Sequence, residues 1–361
     1  MHECRSSQKK FGIKLTCPHI IYKHQFAHWQ TDGRYCMGKT LLKIVGVIVG
    51  VLLFPFLFTL LLSGTASDST NQEAAKQAKT DGLVQITAIE GEDLDQYIMS
   101  VLASYVPLEL QLDTMKAMAV IARTNVYYAC QKLEAEGKSM DALTMDEIGL
   151  PTATLDSIKQ KYGEEKAASY ISMLENVIYS TKDQILFYED KPILACYHYA
   201  NAGKTRNYEE STGTALPYLV TVDSSQDVEA SVGITSLKIT FADAASMLEK
   251  GFNISGLDQE KLMDQLSITK QDSTGYVLTM KVGDKTITGE EFQKCFYLNS
   301  ANFYFTQYEG NLRIICKGKG SGFGFSQYGA NAKAIQGQTY ENLLSYYYPG
   351  TNLITLSKKE S

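Results

Sequence analysis

The sequence predicts an α+β protein: one large mixed domain outside the cytoplasm, behind a single N-terminal transmembrane helix. Three observations lead there. Ile44 to Leu62, IVGVIVGVLLFPFLFTLLL, is a run of 19 residues without a charge, long enough to cross a hydrocarbon core as a helix. Apolar residues then recur at three- and four-residue spacing through the first half of the chain beyond that run. Past about residue 230, two-residue alternation takes over, so helices come early and strands late.

The charge pattern orients the chain. Residues 1–43 hold eight Lys/Arg against Glu3 and Asp32, a net +6, and the whole chain is −6, which leaves −12 for the remainder. So acidic a remainder argues against nucleic acid as a partner. Lys39 and Lys43 precede the apolar run, while Asp68 and Glu73 follow it with no basic residue before Lys76. The positive-inside rule therefore puts residues 1–43 in the cytoplasm as a tail, a span over 44–63 and the bulk outside. A cleaved signal peptide is the competing reading; the run exceeds a usual h-region, and Ser63-Gly64-Thr65-Ala66 is a mediocre cleavage site. The first 36 residues hold four of the five histidines and three of the seven cysteines, without a zinc-finger spacing. An alternative start at Met37 would lead straight into the apolar run.

Residues 64–83 are small and polar and read as a flexible linker. The domain is expected over 84–357. A short strand alternates through Val84 to Ile89, and Glu90-Gly91-Glu92-Asp93 opens a helix. Leu94, Tyr97, Ile98, Val101 and Leu102 carry that helix, which Pro107 ends by disfavouring helix at Val106. Leu112, Met115, Ala119, Ala122, Val126 and Ala129 carry a second helix, apolar on flanking positions too and hence central to the fold. Lys116 and Arg123 lie seven apart on one face of it, where a charge is costly unless paired or lining a polar groove. Glu109 would join that face if the helix began near it. A charged helical insertion follows to about Ser180. Two strand patterns then flank Glu189-Asp190, a hairpin signal, and residues 231–300 mix a helix from Phe241 to Lys250 with strands such as Tyr276–Val282. Cys130, Cys196, Cys295 and Cys316 allow three disulfide pairings, or free thiols, and the spacing selects none. Cys196 and His198 share a strand face, but two ligands make no metal site and none is expected; no cofactor is expected either. The 23 tyrosines suit carbohydrate stacking as well as core packing.

Three separated stretches carry a family likeness. Tyr97, Ala103, Ser104, Pro107, Glu109, Met115, Lys116, Ala117, Ala119, Ala122, Arg123 and Thr124 form the first. Thr181, Leu186, Tyr188, Lys191, Pro192, Ile193, Ala195, Tyr197, His198, Gly203, Lys204 and Thr205 form the second, followed by Pro217-Tyr218-Leu219. The third runs from Gly318 through Gly320, Gly322, Gly324, Ser326, Gln327, Gly329 and Ala330 to Tyr347-Tyr348-Pro349-Gly350-Thr351. In order and across 84–357, these resemble the SpoIID/LytB family of sporulation protein D and amidase-enhancer proteins. Two positions depart from the family pattern: its catalytic glutamate is Tyr105 here, and the histidine of its glycine run is Ser321.

The resemblance implies binding and cleavage of peptidoglycan glycan strands by a lytic transglycosylase. There one carboxylic acid protonates the glycosidic oxygen and, as carboxylate, then takes the proton of the attacking muramic 6-hydroxyl. It further implies a setting in engulfment, with a sporulation amidase/endopeptidase and a polytopic membrane protein as partners, and Lys116, Arg123, Tyr197, His198, Lys204, Tyr218, Ser321, Ser326, Gln327 and Tyr347 as groove residues. Tyr105 is a poor acid and a poor base, with an ordinary pKa of about 10. Three readings are open: a glycan-binding member with catalysis lost or weakened, an active transglycosylase with Glu109 as substitute acid, or a structural envelope protein that binds no glycan.

Overall fold

The computed structural model describes residues 88–89, 92–140 and 143–356, and there the chain mixes helix and strand. The expected tail, span and linker, residues 84–87 and residue 357 lie outside the described residues. Among the described residues no helix is long and apolar enough to cross a membrane.

Of the expected first strand, Ala88–Ile89 (β1) pairs antiparallel with Glu92–Asp93 (β2). Helix α1 spans Leu94–Tyr105; its N-cap Asp93 accepts a hydrogen bond from the Asp95 amide at 3.0 Å, and the chain turns extended at Val106, ahead of Pro107. Helix α2 spans Leu112–Ala135 and is central, as its apolar flanks require: Met115, Met118, Ala119, Val120, Ile121 and Val126 are wholly buried. Glu109 sits in the turn before α2 and not on it, so the expected Glu109–Lys116–Arg123 face starts only at Lys116.

The insertion supplies three helices, α3 (Met145–Ile148), α4 (Leu155–Tyr162) and α5 (Glu164–Ser180), the last burying Tyr170, Leu174 and Val177 in the same core. The hairpin forms where Glu189 and Asp190 both take the left-handed conformation (φ 47° and 66°), joining β3 (Gln184–Tyr188) to β4 (Lys191–Pro192). Its second arm is short, and beyond Pro192 the ladder adds one bond, from the Ile193 amide to the Leu186 carbonyl at 3.2 Å. Strand β13 (Asn352–Thr355) takes the other edge of β3.

After β5 (Tyr197–His198) and a short helix α6 (Tyr208–Thr212), the chain builds a second hydrophobic cluster. There β6 (Ile234–Thr240), β10 (Phe303–Tyr308) and β11 (Asn311–Lys317) form one antiparallel sheet in the order β10-β11-β6. Strands β7 (Leu266–Gln271), β8 (Val277–Val282) and β9 (Lys285–Thr288) form a meander. Helices α7 (Phe241–Phe252) and α8 (Gly289–Cys295) complete the cluster, where Phe292 stacks on Phe303 at 4.8 Å. The chain then returns to the first core through β12 (Phe325–Ser326), α9 (Gln327–Ile335) and α10 (Tyr340–Tyr347). The four cysteines beyond the expected span are free thiols.

Candidate functional site

The motif residues meet where β5 runs parallel to β12, Tyr197 opposite Phe325 and His198 opposite Ser326. Asn125 of α2 fixes the approach to β5, donating to the Ala195 carbonyl and accepting from its amide, both at 3.0 Å. On the inner side of this pair lies a closed polar hub. His198 is buried with Nδ1 at 3.0 Å from the Phe323 carbonyl, which can only accept, so Nδ1 carries the proton. Nε2 is left to accept from the Asn201 amide group at 2.9 Å. The ring is therefore neutral, and burial pushes its pKa down to about 4 against the carbonyl's opposing pull. Asp227, 3.9 Å from Nε2, makes no ion pair with a neutral ring.

Asp227 is held by donors instead. It accepts from the Asn201 amide at 2.8 Å and from Ser326 Oγ at 2.7 and 2.8 Å, yet burial outweighs these bonds and raises its pKa to about 6. Ser326 also caps α9 through the Gly329 amide, and Tyr347 closes the hub with its hydroxyl 3.0 Å from Ser224 Oγ. Gly329 is required here: a Cβ would lie 2.4 Å from Ser224 Oγ, 2.6 Å from the Tyr347 hydroxyl and 2.7 Å from Asp227 Oδ1.

Tyr105, the last residue of α1, occupies a different environment. Its ring lies 4.3 Å from that of Tyr197, and its backbone carbonyl accepts from Gln327 Nε2 at 3.4 Å. The hydroxyl is buried and finds no hydrogen-bond partner among the described residues. Burial first, then the neighbouring phenols of Tyr197, Tyr348 and Tyr170, hold its pKa well above the ordinary phenol value. Glu109, four residues on, is exposed.

The glycine-rich loop lies along residues 199–206, bridged at Ala200–Lys319 and Arg206–Phe323. Gly320 allows this approach, since a Cβ would sit 2.8 Å from that of His198. Along this rim Lys204, Lys319 and Ser321 are exposed and Tyr199 and Tyr328 half-buried, with Lys319 over the Tyr199 ring at 5.5 Å. Beneath it the Arg206 guanidinium is buried between Tyr276 and Phe323, 4.3 Å from each ring, and bonds Asp272 at 2.7 Å.

The predicted groove residues thus divide. Tyr197, Lys204 and Ser321 reach the rim or the Tyr105 slot. His198, Ser326 and Tyr347 belong to the hub, and Gln327 is buried against the Tyr105 backbone. Tyr218 is buried, its hydroxyl accepting from the Leu194 amide at 3.2 Å. Arg123 does not line an open groove: it is 1 % exposed, donates to the carbonyls of Thr181, Gln184 and Ile178, and lies 3.7 Å from Asp95. Burial lowers its pKa against Asp95 and the other neighbours that raise it. Lys116, on the same face of α2, stands half-buried over the Tyr340 ring at 5.7 Å. Asn201, Arg206, Asp227 and Asp272 escape a reading of the sequence. Asn201 and Arg206 flank matched positions and could have been suspected, whereas nothing local marks Asp227 or Asp272.

Comparisons with known proteins add likenesses of sequence. The family model described as stage II sporulation protein (SpoIID) matches residues 83–188, which hold α1, α2, the insertion and β3. Stage II sporulation protein D of Bacillus subtilis (strain 168) is 29 % identical over 273 residues, covering 74 % of this chain and 76 % of the relative. That of Bacillus amyloliquefaciens is 28 % identical over 270 residues, covering 74 % and 75 %. The amidase enhancer of Bacillus subtilis is 23 % identical over 304 residues, which covers 71 % of this chain and 40 % of the relative. The motifs, the family model and these relatives together support a member of the SpoIID/LytB family of sporulation proteins.

Proposed function

We propose that this chain is a membrane-anchored, cell-wall-associated sporulation protein that binds peptidoglycan glycan strands and does not cleave them. The carrying observation is Tyr105. At the family's acid position stands a phenol whose hydroxyl is buried and whose pKa is raised. Near neutral pH it stays protonated and holds its proton tightly, so it serves neither as the acid nor as the base of the transglycosylase cycle. Binding is supported by the rim, where exposed Lys204, Lys319 and Ser321 alternate with the half-buried rings of Tyr199, Tyr197 and Tyr328. Polar groups beside aromatic faces suit a sugar chain. The anchor follows from the uncharged run Ile44–Leu62, and the partners are those of engulfment, an amidase/endopeptidase and a polytopic membrane protein.

The test uses denuded glycan strands with wild type, Tyr105→Phe, Tyr105→Glu and Glu109→Ala. Wild type should co-sediment with glycan and release no anhydro-muramyl product. Cleavage that survives in Tyr105→Phe and disappears in Glu109→Ala would overturn the reading and move the acid role to Glu109. Absence of both binding and product would leave a structural envelope protein.

A further inference from the structure

The β10-β11-β6 sheet is covered on one side only. Leu237, Ile239, Phe303, Phe305, Leu312, Ile314 and Cys316 face inward to the cluster with α7 and α8. The register puts the other residues on the outer face in rows: Tyr304, Ile315 and Ser236, then Thr306, Arg313 and Lys238, then Tyr308, Asn311 and Thr240, with Lys317 opposite Ile234 at the end. Tyr304 and Tyr308 are each 45 % exposed and Ile234 67 %. No acid stands in these rows, although residues 44–361 as a whole carry −12; Glu309, in the turn after Tyr308, pairs with Lys238.

The cations are held in place. Lys317 Nζ lies 5.7 Å from the centre of the Tyr304 ring, while Lys238 Nζ and the Arg313 guanidinium lie 5.4 and 5.2 Å from that of Tyr308. Arg313 also donates to Ser236 Oγ at 3.0 Å. A cation stationed over a tyrosine occupies a face on which a sugar would stack, which tells against a neutral glycan here; at the rim Lys319 covers Tyr199 in the same way, but among the described residues no cation lies over Tyr197 or Tyr328. Exposed isoleucine adds nothing to phosphodiester binding in water. Tyrosine, aliphatic side chains and Lys/Arg together suit a flat anionic lipid surface, where the rings sit at headgroup level and the cations meet lipid phosphates.

We propose that the outer face of this sheet docks on the anionic surface of a lipid bilayer. The expected span would bring that bilayer near, since the 25 residues from Ser63 to Thr87, ahead of the β1–β2 pair, reach at most about 80–90 Å when fully extended. The inference rests on the membrane reading for the bilayer's proximity only; the chemistry of the face is independent of it.

The experiment uses the full chain with Trp29→Phe and Tyr308→Trp, so that position 308 carries the single tryptophan. The chain is reconstituted into vesicles of brominated phosphatidylcholine containing 30 % phosphatidylglycerol, or none, and alkaline carbonate extraction reports whether it is inserted. Quenching at position 308 should appear in anionic vesicles only and fall in 0.5 M salt. Lys317→Gln should weaken docking roughly fivefold, and Lys238→Glu/Arg313→Glu/Lys317→Glu should abolish it, with unchanged circular dichroism. Lack of quenching in an inserted chain overturns the docking face and leaves the anchor intact. Quenching in a chain that carbonate extracts supports the face and removes the anchor. Equal quenching without phosphatidylglycerol overturns the role of the cations. A soluble teichoic acid that perturbs the tryptophan while anionic vesicles do not quench it assigns the face to a wall polymer and overturns the proposal.

Discussion

Two neighbouring regions draw on the motif residues and are finished in opposite ways. In the hub, His198, Asn201, Ser326 and Asp227 satisfy one another inside the protein, and Tyr347 pairs with Ser224 beside them. In the slot, the Tyr105 hydroxyl is just as buried and meets no partner among the described residues. Of the hub residues His198, Ser326 and Tyr347 fall on the motif pattern and Asn201, Ser224 and Asp227 do not, while the slot holds the pattern's chief departure. In this chain His198 and Ser326 hold the joint between β5, β12 and α9, so a match at either is evidence of architecture before it is evidence of chemistry.

The largest test of that contrast removes the hub's centre. Asp227→Ala leaves the Asn201 backbone amide and Ser326 Oγ buried without their carboxylate acceptor, a loss that should cost about 1–3 kcal/mol for each stranded group. Urea unfolding followed by near-UV circular dichroism measures it. A cost below about 1 kcal/mol would show that the hub is wet or slack and would erase its difference from the slot.

A second, smaller effect separates the hub's two titrating groups. The neutral form of His198 is favoured in the fold, since its pKa drops from 6.5 to about 4. Its contribution is complete above pH 6.5 and is lost as pH falls through about 4. The pKa of Asp227 rises from 3.8 to about 6. Its contribution is complete below pH 3.8 and is lost as pH rises through about 6. Each spans on the order of 3 kcal/mol, with opposite slopes over about pH 4–6, so together they nearly cancel. Relative to wild type, Asp227→Asn should gain stability as pH rises from about 4 to about 6, and His198→Gln should lose it. Slopes of the same sign in both would refute the assignment of a neutral histidine beside a donor-held carboxylate.

Much of the fold can be read from residues because its signals are local. Pro107 ends α1 where its ring forbids helix, and the Glu189-Asp190 turn makes the hairpin. The apolar flanks of the 112–129 pattern make α2 central. The expected helix from Phe241 to Lys250 runs on to Phe252, where Asn253 stops it in the left-handed conformation. The site is harder, because burial of a polar side chain depends on distant chain. Arg123 reads as a groove cation on α2, yet carbonyls 55 to 61 residues away enclose it. Asp227 bonds Ser326 across 99 residues, a pairing that no spacing within either segment announces.

The smallest effect is the most discriminating for the slot. A buried hydroxyl without a partner costs about 1–3 kcal/mol relative to one that is paired. Tyr105→Phe removes the hydroxyl and keeps the ring against Tyr197, so it should leave stability unchanged or raise it by up to about 1 kcal/mol. Glycan co-sedimentation should be unchanged as well, because the group removed faces inward. The same substitution at Tyr347, whose hydroxyl meets Ser224 in the hub, should instead lower stability by about 1 kcal/mol. The paired comparison guards against a general effect of tyrosine removal, since both variants lose one oxygen and keep one ring. Loss of stability at Tyr105 equal to that at Tyr347 would mean the slot hydroxyl is bonded after all. Loss of glycan binding in Tyr105→Phe without loss of stability would mean that it turns outward to the sugar, and the phenol would then be a ligand contact in place of the missing acid.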